Sequence, residues 1–154
     1  MRDVTPPLRL RPMRDADVPA LQRIHAAATA SSYGQVHTWL MPILEDPATP
    51  LEACEWTVCA VDGEGDAPVL GYVAVTARHI ENLYIDPAAQ GRGVGGALLA
   101  AVESRVTARP LTLRCLHANP GARRFYERHG FRVVRDETIR YHGGDLDAWF
   151  MEKA

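Results

Sequence analysis

The chain has 154 residues, 47% of them hydrophobic and 23% charged, with a formal net charge of −2. That size and composition describe one globular domain over residues 1–154, and the small charge gives no general attraction to phosphate backbones or anionic lipid, so a nucleic-acid or membrane role lacks electrostatic support. The stretch Met1 to Pro7 lacks the apolar core of a signal peptide and the longest apolar run, Val94 to Val102, is too short to span a bilayer, which points to the cytoplasm.

In chain order, Leu8 to Pro12 alternates like an opening edge strand, and Asp15 or Asp17 is placed to cap a helix through Val18, Leu21, Ile24 and Ala28. A second, less regular helix is expected over Tyr33 to Leu44. Trp56 to Val61 and Val69 to Thr76, rich in Val, Thr and Tyr, read as strands joined by a hairpin turn at Asp62 to Asp66, with Gly71 as a point of close backbone approach. His79 to Ile85 alternates as a further strand and stops at Asp86-Pro87, because proline has no N–H for the ladder.

Gln90-Gly91-Arg92-Gly93-Val94-Gly95-Gly96 then opens an amphipathic helix whose Val94, Ala97, Leu98, Ala101, Val102 and Arg105 recur three and four apart, up to Pro110. A glycine-rich turn entering a helix is an anion site in outline. Absent side chains and positive φ let several N–H groups converge on a phosphate, the helix end adds partial positive charge and Arg92 a full one, so pyrophosphate is the natural guest. Leu111 to Leu116 is the next strand, and Asn119-Pro120 starts a helix with a cap followed by proline. Ala122, Phe125, Tyr126 and His129 make one stripe, closed by Gly130. Phe131 to Arg135 and Asp147 to Met151 complete the set, with the last strand a candidate edge that pairs between subunits in a homodimer or ends the sheet of a monomer.

Three stretches, Leu83-Tyr84-Ile85-Asp86-Pro87, Gln90-x-x-Gly93-x-Gly95 and Asn119-x-x-Ala122-x-x-Phe125-Tyr126-x-x-x-Gly130-Phe131, occur in the order and spacing of the GNAT superfamily of N-acetyltransferases, which the chain resembles. The resemblance implies an α+β fold: a mostly antiparallel sheet of about seven strands with four helices on both faces and two strands splayed at the cofactor site. It implies acetyl-CoA as co-substrate and an amine acceptor. The pantetheine arm would lie beside Leu83, Tyr84 and Ile85, bonded to backbone groups of Leu83 and Ile85, and the amides of Gln90, Gly91, Arg92, Gly93, Val94, Gly95 and Gly96 would hold the pyrophosphate. Asn119 would contact the pantetheine arm, or cap the helix alone, and Tyr126 would protonate the departing sulfur.

An amine attacks a thioester only as the free base, so a proton acceptor is also needed. His79 and Glu81, two apart on one strand and so expected to share a face, are the candidates, with Glu81 favoured and water the alternative. No metal is expected. The six histidines are scattered, and Cys54, Cys59 and Cys115, an odd number without Cys-x-x-Cys spacing, each lie in a segment reading as strand and are taken as buried thiols. Gly91-x-Gly93-x-x-Gly96 matches the dinucleotide fingerprint literally, but that fold wants it in the first strand-turn-helix unit with a carboxylate ending the next strand, whereas His117 follows Leu116 here. A non-catalytic acyl-CoA sensor is the other alternative. Candidate acceptor-pocket residues are Tyr33, His37, Trp39, Tyr141, His142 and Trp149, with Asp136, Glu137, Asp145 and Asp147 nearby as solvated charges or as attraction for a cationic acceptor.

Overall fold

The computed structural model describes residues 8–33, 50–141 and 144–154, with the side chains of 31–33 and 141 left aside. Seven strands form one sheet in the order β1-β2-β3-β4-β5-β7-β6: β1 Leu8–Pro12, β2 Trp56–Asp62, β3 Val69–Thr76, β4 His79–Ile85, β5 Leu111–Leu116, β6 Arg132–Tyr141 and β7 Gly144–Lys153. Only β4 with β5 is parallel among these pairs; the others are antiparallel. Among the described residues there are three α-helices: α1 Val18–Tyr33, α2 Val94–Arg105 and α3 Pro120–Arg128. The helix expected over Tyr33 to Leu44 falls almost wholly outside the described residues, Tyr33 being the last of α1.

Both faces of the sheet are covered, which is why β2 and β3 read as nearly continuous apolar runs rather than as half-polar alternation. Val58, Ala60, Val73 and Val75 point to one side and join Leu98, Leu99 and Val102 of α2 with Tyr126 of α3. Cys59, Val61, Tyr72 and Ala74, at the intervening positions, join Leu21 and Ile24 of α1 on the other. Gly71 is a close approach, since a Cβ there would sit 2.9 Å from the carbonyl oxygen of Tyr84 on the neighbouring strand.

Three readings from sequence need correction. Neither Asp15 nor Asp17 caps α1: both lie in a 3-10 turn ahead of it, and the Asp17 carboxylate turns back to the Arg11 guanidinium (2.7 and 2.9 Å) and the Arg14 amide (2.8 Å). A bidentate charge pair, which holds the Asp17 carboxyl below its ordinary range, satisfies that group better than a cap would. Cys54 lies in a bend before β2 rather than in a strand, although Cys59 and Cys115 are buried strand thiols, each pushed up to about 12 mainly by burial. β7 is not an edge. It runs between β5 and β6, its Leu146, Ala148 and Met151 buried, while β6 takes the edge with Arg132, Arg135 and Arg140 exposed and a register shift between Val133 and Arg135. The more apolar strand of the hairpin goes inside, and charge plus a bulge on the outer one discourages further pairing.

Candidate active site

The sheet forks between β4 and β5. They are paired only at His79 with Thr112 and Ile80 with Leu113, then diverge. The cause is visible one strand away. Along β3, Ala74 pairs with Asn82 and Val75 with Ile80, so Glu81 is the extra residue of a β-bulge, which bends β4 and lets it follow β3 while leaving β5. A cleft of about 650 Å³ occupies the fork, bounded by β4, the glycine turn and first turn of α2, β5 and α3, and reaching Ala28 of α1 on the opposite side of the sheet. That volume lies in the range of small-molecule sites.

The cleft's outer end is made by Gln90, Gly91, Gly93, Val94, Gly95 and Gly96. Gly93 is the N-cap of α2 with φ +78°, a left-handed conformation natural to glycine, and no side chain caps the helix. The first-turn amides of α2 have no intrahelical acceptors, so they and the helix dipole present positive charge to whatever enters. Gly95 answers a different need: a Cβ there would stand 2.9 Å from the Phe125 ring, so only glycine lets α2 and α3 approach at this point. Arg92 is not among the lining residues. Its guanidinium is held by Asp62 at the end of β2 (3.1 and 3.2 Å), an opposite charge thirty residues away in sequence that local reading does not reveal.

Leu83, Tyr84 and Ile85 line one wall. The other carries Asn119 and Tyr126 of the α3 unit. Asn119 Oδ1 accepts the Ala122 amide (3.1 Å), so the capping role is present while its side-chain nitrogen is a donor for a ligand. Tyr126 is 8% exposed, its ring edge-on to Phe125 (5.4 Å) and Phe131 (5.7 Å), which fixes where its hydroxyl lies.

Of the two candidate bases, Glu81, the bulged residue, lines the cleft and His79 does not. His79 Nδ1 is 2.7 Å from Thr112 Oγ1 and its ring stacks near Phe150. Burial is the main cause holding its pKa below the ordinary 6.5, opposed by the Glu81 charge, so the ring is neutral at pH 7.

Arg114 is a lining residue that the sequence reading passed over; its signal was a lone charge inside the apolar run of β5. Of the aromatic acceptor set, Trp149 lies against His117 (4.3 Å) and beneath Arg123 (4.6 Å) and does not line the cleft; the side chains of Tyr33, His37, Trp39, Tyr141 and His142 fall outside the described residues. The nearby carboxylates are engaged at the surface: Asp136 with His117, Glu137 with Arg114 and Arg135, Asp145 with Arg140, and Asp147 with Thr138. Among the described residues no group of three or more His, Cys, Asp or Glu could hold a metal ion, and no helix is long and apolar enough to cross a membrane.

The family model described as Acetyltransferase (GNAT) domain matches residues 32–145. An aminoglycoside N(6')-acetyltransferase type 1 of Stenotrophomonas maltophilia is 33% identical over 97 residues, which cover 50% of this chain and 61% of that enzyme. Matches to two further curated relatives likewise span only about half of their lengths, 51% and 46%. Among solved structures, apo YjaB from Escherichia coli aligns with TM-score 0.74 at 22% identity over 94% of this chain and 96% of that one. The PaiA N-acetyltransferase of Thermoplasma acidophilum, solved with coenzyme A, aligns with TM-score 0.69 at 17% identity over 96% and 98%.

Proposed function

The chain belongs to the GNAT acetyltransferase family, and on that premise we propose that it transfers an acetyl group from acetyl-CoA to the primary amine of a small molecule or peptide by direct attack on the thioester. The observation that carries the proposal is the fork itself: a cleft with uncapped helix amides at one end, β4 along one wall and a buried tyrosine on the other. The fit to CoA is tested by the glycines. Gly93, Gly95 and Gly96 line the cleft where α2 begins, and the uncapped first-turn amides there are the donors a diphosphate would use.

The thioester, when bound, supplies an acyl group already activated toward amines. The chain's residues handle geometry and protons. Amides of Val94, Gly95 and Gly96 hold the diphosphate, and the backbones of Leu83 and Ile85 align the pantetheine arm along β4. The Asn119 side-chain nitrogen steadies the same arm from α3. Glu81, which lines the cleft just past the last β4–β5 ladder pair, takes one proton from the acceptor ammonium and passes it to water. As the C–N bond forms and the C–S bond breaks, Tyr126 delivers a proton to the sulfur and recovers one from the attacking nitrogen, so the amine loses two protons and CoA leaves as the thiol. His79, held neutral outside the cleft, does not take part as base; its ring fixes the start of the fork through Thr112. Arg92 is assigned to holding the glycine turn against Asp62 rather than to direct contact. The single domain and cytoplasmic setting belong to the same proposal, the latter fitting three cysteines that carry no disulfide.

The test is Tyr126→Phe. Loss of a general acid lowers turnover by about 10²-fold or more while acetyl-CoA binding, followed by calorimetry, stays within about twofold. A variant that turns over like the parent removes Tyr126 from the acid role. Binding of acetyl-CoA by the parent with no CoA release on any amine would instead favour a sensor.

A further inference from the structure

The parallel ladder ends at Ile80 with Leu113, so the next residue on each strand, Glu81 and Arg114, flanks the opening of the fork, and both line the cleft. On β5, Leu113 and Cys115 belong to the core beneath α2 and α3, whereas Leu116 packs with Ala26 and Ala30 of α1. Arg114 therefore leaves the sheet on the α1 side, opposite the face occupied by α2 and its glycine turn. Its Nε donates to Glu137 Oε1 (2.6 Å), and Arg135 donates to Glu137 Oε2 (2.9 Å). Two guanidiniums thus share one carboxylate. No described residue takes a hydrogen bond from the Arg114 Nη atoms. Phe150 lies under the Arg114 guanidinium (5.6 Å) and that of Arg135 (4.0 Å), keeping the planar groups in place.

A carboxylate and a guanidinium with donors to spare, one on each strand where the ladder ends and both lining the cleft, can recognise opposite ends of one molecule. We propose that the acceptor is a small zwitterion, an amino acid whose ammonium is held at Glu81 and whose carboxylate is held by the Nη groups of Arg114. This rests on the acetyltransferase reading above and narrows its acceptor. Arg114 is a specificity residue here: it orients the acceptor so that the nitrogen faces the thioester and takes no part in the proton transfers.

The experiment compares kcat/KM for CoA release with the common amino acids, the same amino acids as α-amides, and the corresponding decarboxylated amines. With the parent protein the free acids are preferred over their amides by about 10- to 100-fold, the worth of a hydrogen-bonded charge contact. In Arg114→Gln that ratio falls to near one, and Arg114→Lys keeps part of it, each variant first shown by calorimetry to bind acetyl-CoA as the parent does. Equal use of acids and amides by the parent, or a ratio that survives Arg114→Gln, overturns the inference. So does acetyl-CoA binding with turnover confined to amines that carry no carboxylate. Failure of the parent to bind acetyl-CoA overturns the acetyltransferase reading itself and is seen in the calorimeter before any acceptor is added.

Discussion

A neutral histidine beside a carboxylate at the root of a forked sheet has a measurable signature. Burial holds the His79 pKa below 6.5, so the unfolded chain binds more protons at this residue than the folded one between those two values, and its contribution to stability falls as pH falls through about 6.5. Replacing it by glutamine, which keeps a partner for Thr112 without the titration, has a specific consequence: the gap in melting temperature between parent and His79→Gln is largest above pH 7 and narrows toward pH 5.5. Melting curves at four or five pH values across that range check it, and a gap that widens at low pH would contradict the assignment. The two candidate bases were legible as residue types. Which of them reaches the cleft was not, because the answer depends on a bulge that pairs Ile80 and Asn82 with consecutive residues of β3, and no local pattern in His79 to Ile85 announces it.

At the scale of elements, strands β3, β4 and β5 have the bounds expected from their composition and from the turn residues around them, and α3 starts with the cap and proline that its sequence offers. Elements whose neighbours lie close in sequence are readable in this way. The hairpin β6–β7 shows the limit, since both strands run to ten residues and their order at the sheet edge is decided by which one buries Leu146, Ala148 and Met151. The contact of α2 with α3 gives a paired prediction. Gly95→Ala places a Cβ 2.9 Å from the Phe125 ring, whereas at Gly96 the nearest atom, His129 Nε2, is 3.5 Å away, an ordinary contact. Gly95→Ala should lower stability by about 1–3 kcal/mol, as overpacking does, and weaken acetyl-CoA binding by displacing the helix beside Tyr126. Gly96→Ala should leave stability unchanged or raise it slightly through helix propensity. Denaturant titration of both variants distinguishes them, and equal stabilities would mean that Phe125 yields freely.

For the molecule as a whole, one parallel strand pair in an otherwise antiparallel sheet sets the plan. The parallel pairing of β4 with β5 requires the crossover through α2, which brings a helix N-terminus to the end of the fork, and the bulge at Glu81 opens that fork. The uncapped α2 amides then lie on one face of the sheet, and Arg114 leaves it on the other, where the ladder ends. The glycine turn and Tyr126 were visible as motifs; the position of Arg114, like the tie between Arg92 and Asp62, exists only once distant strands have assembled. The central claim, that the fork binds acetyl-CoA, is tested most directly by titrating the protein with acetyl-CoA and following backbone amide shifts residue by residue. Saturable changes concentrated at Leu83, Ile85 and Gly93 to Gly96 are the predicted result. No saturable change at those amides, or changes centred on the separate groove beside Trp56, Arg78 and Arg105, would contradict it.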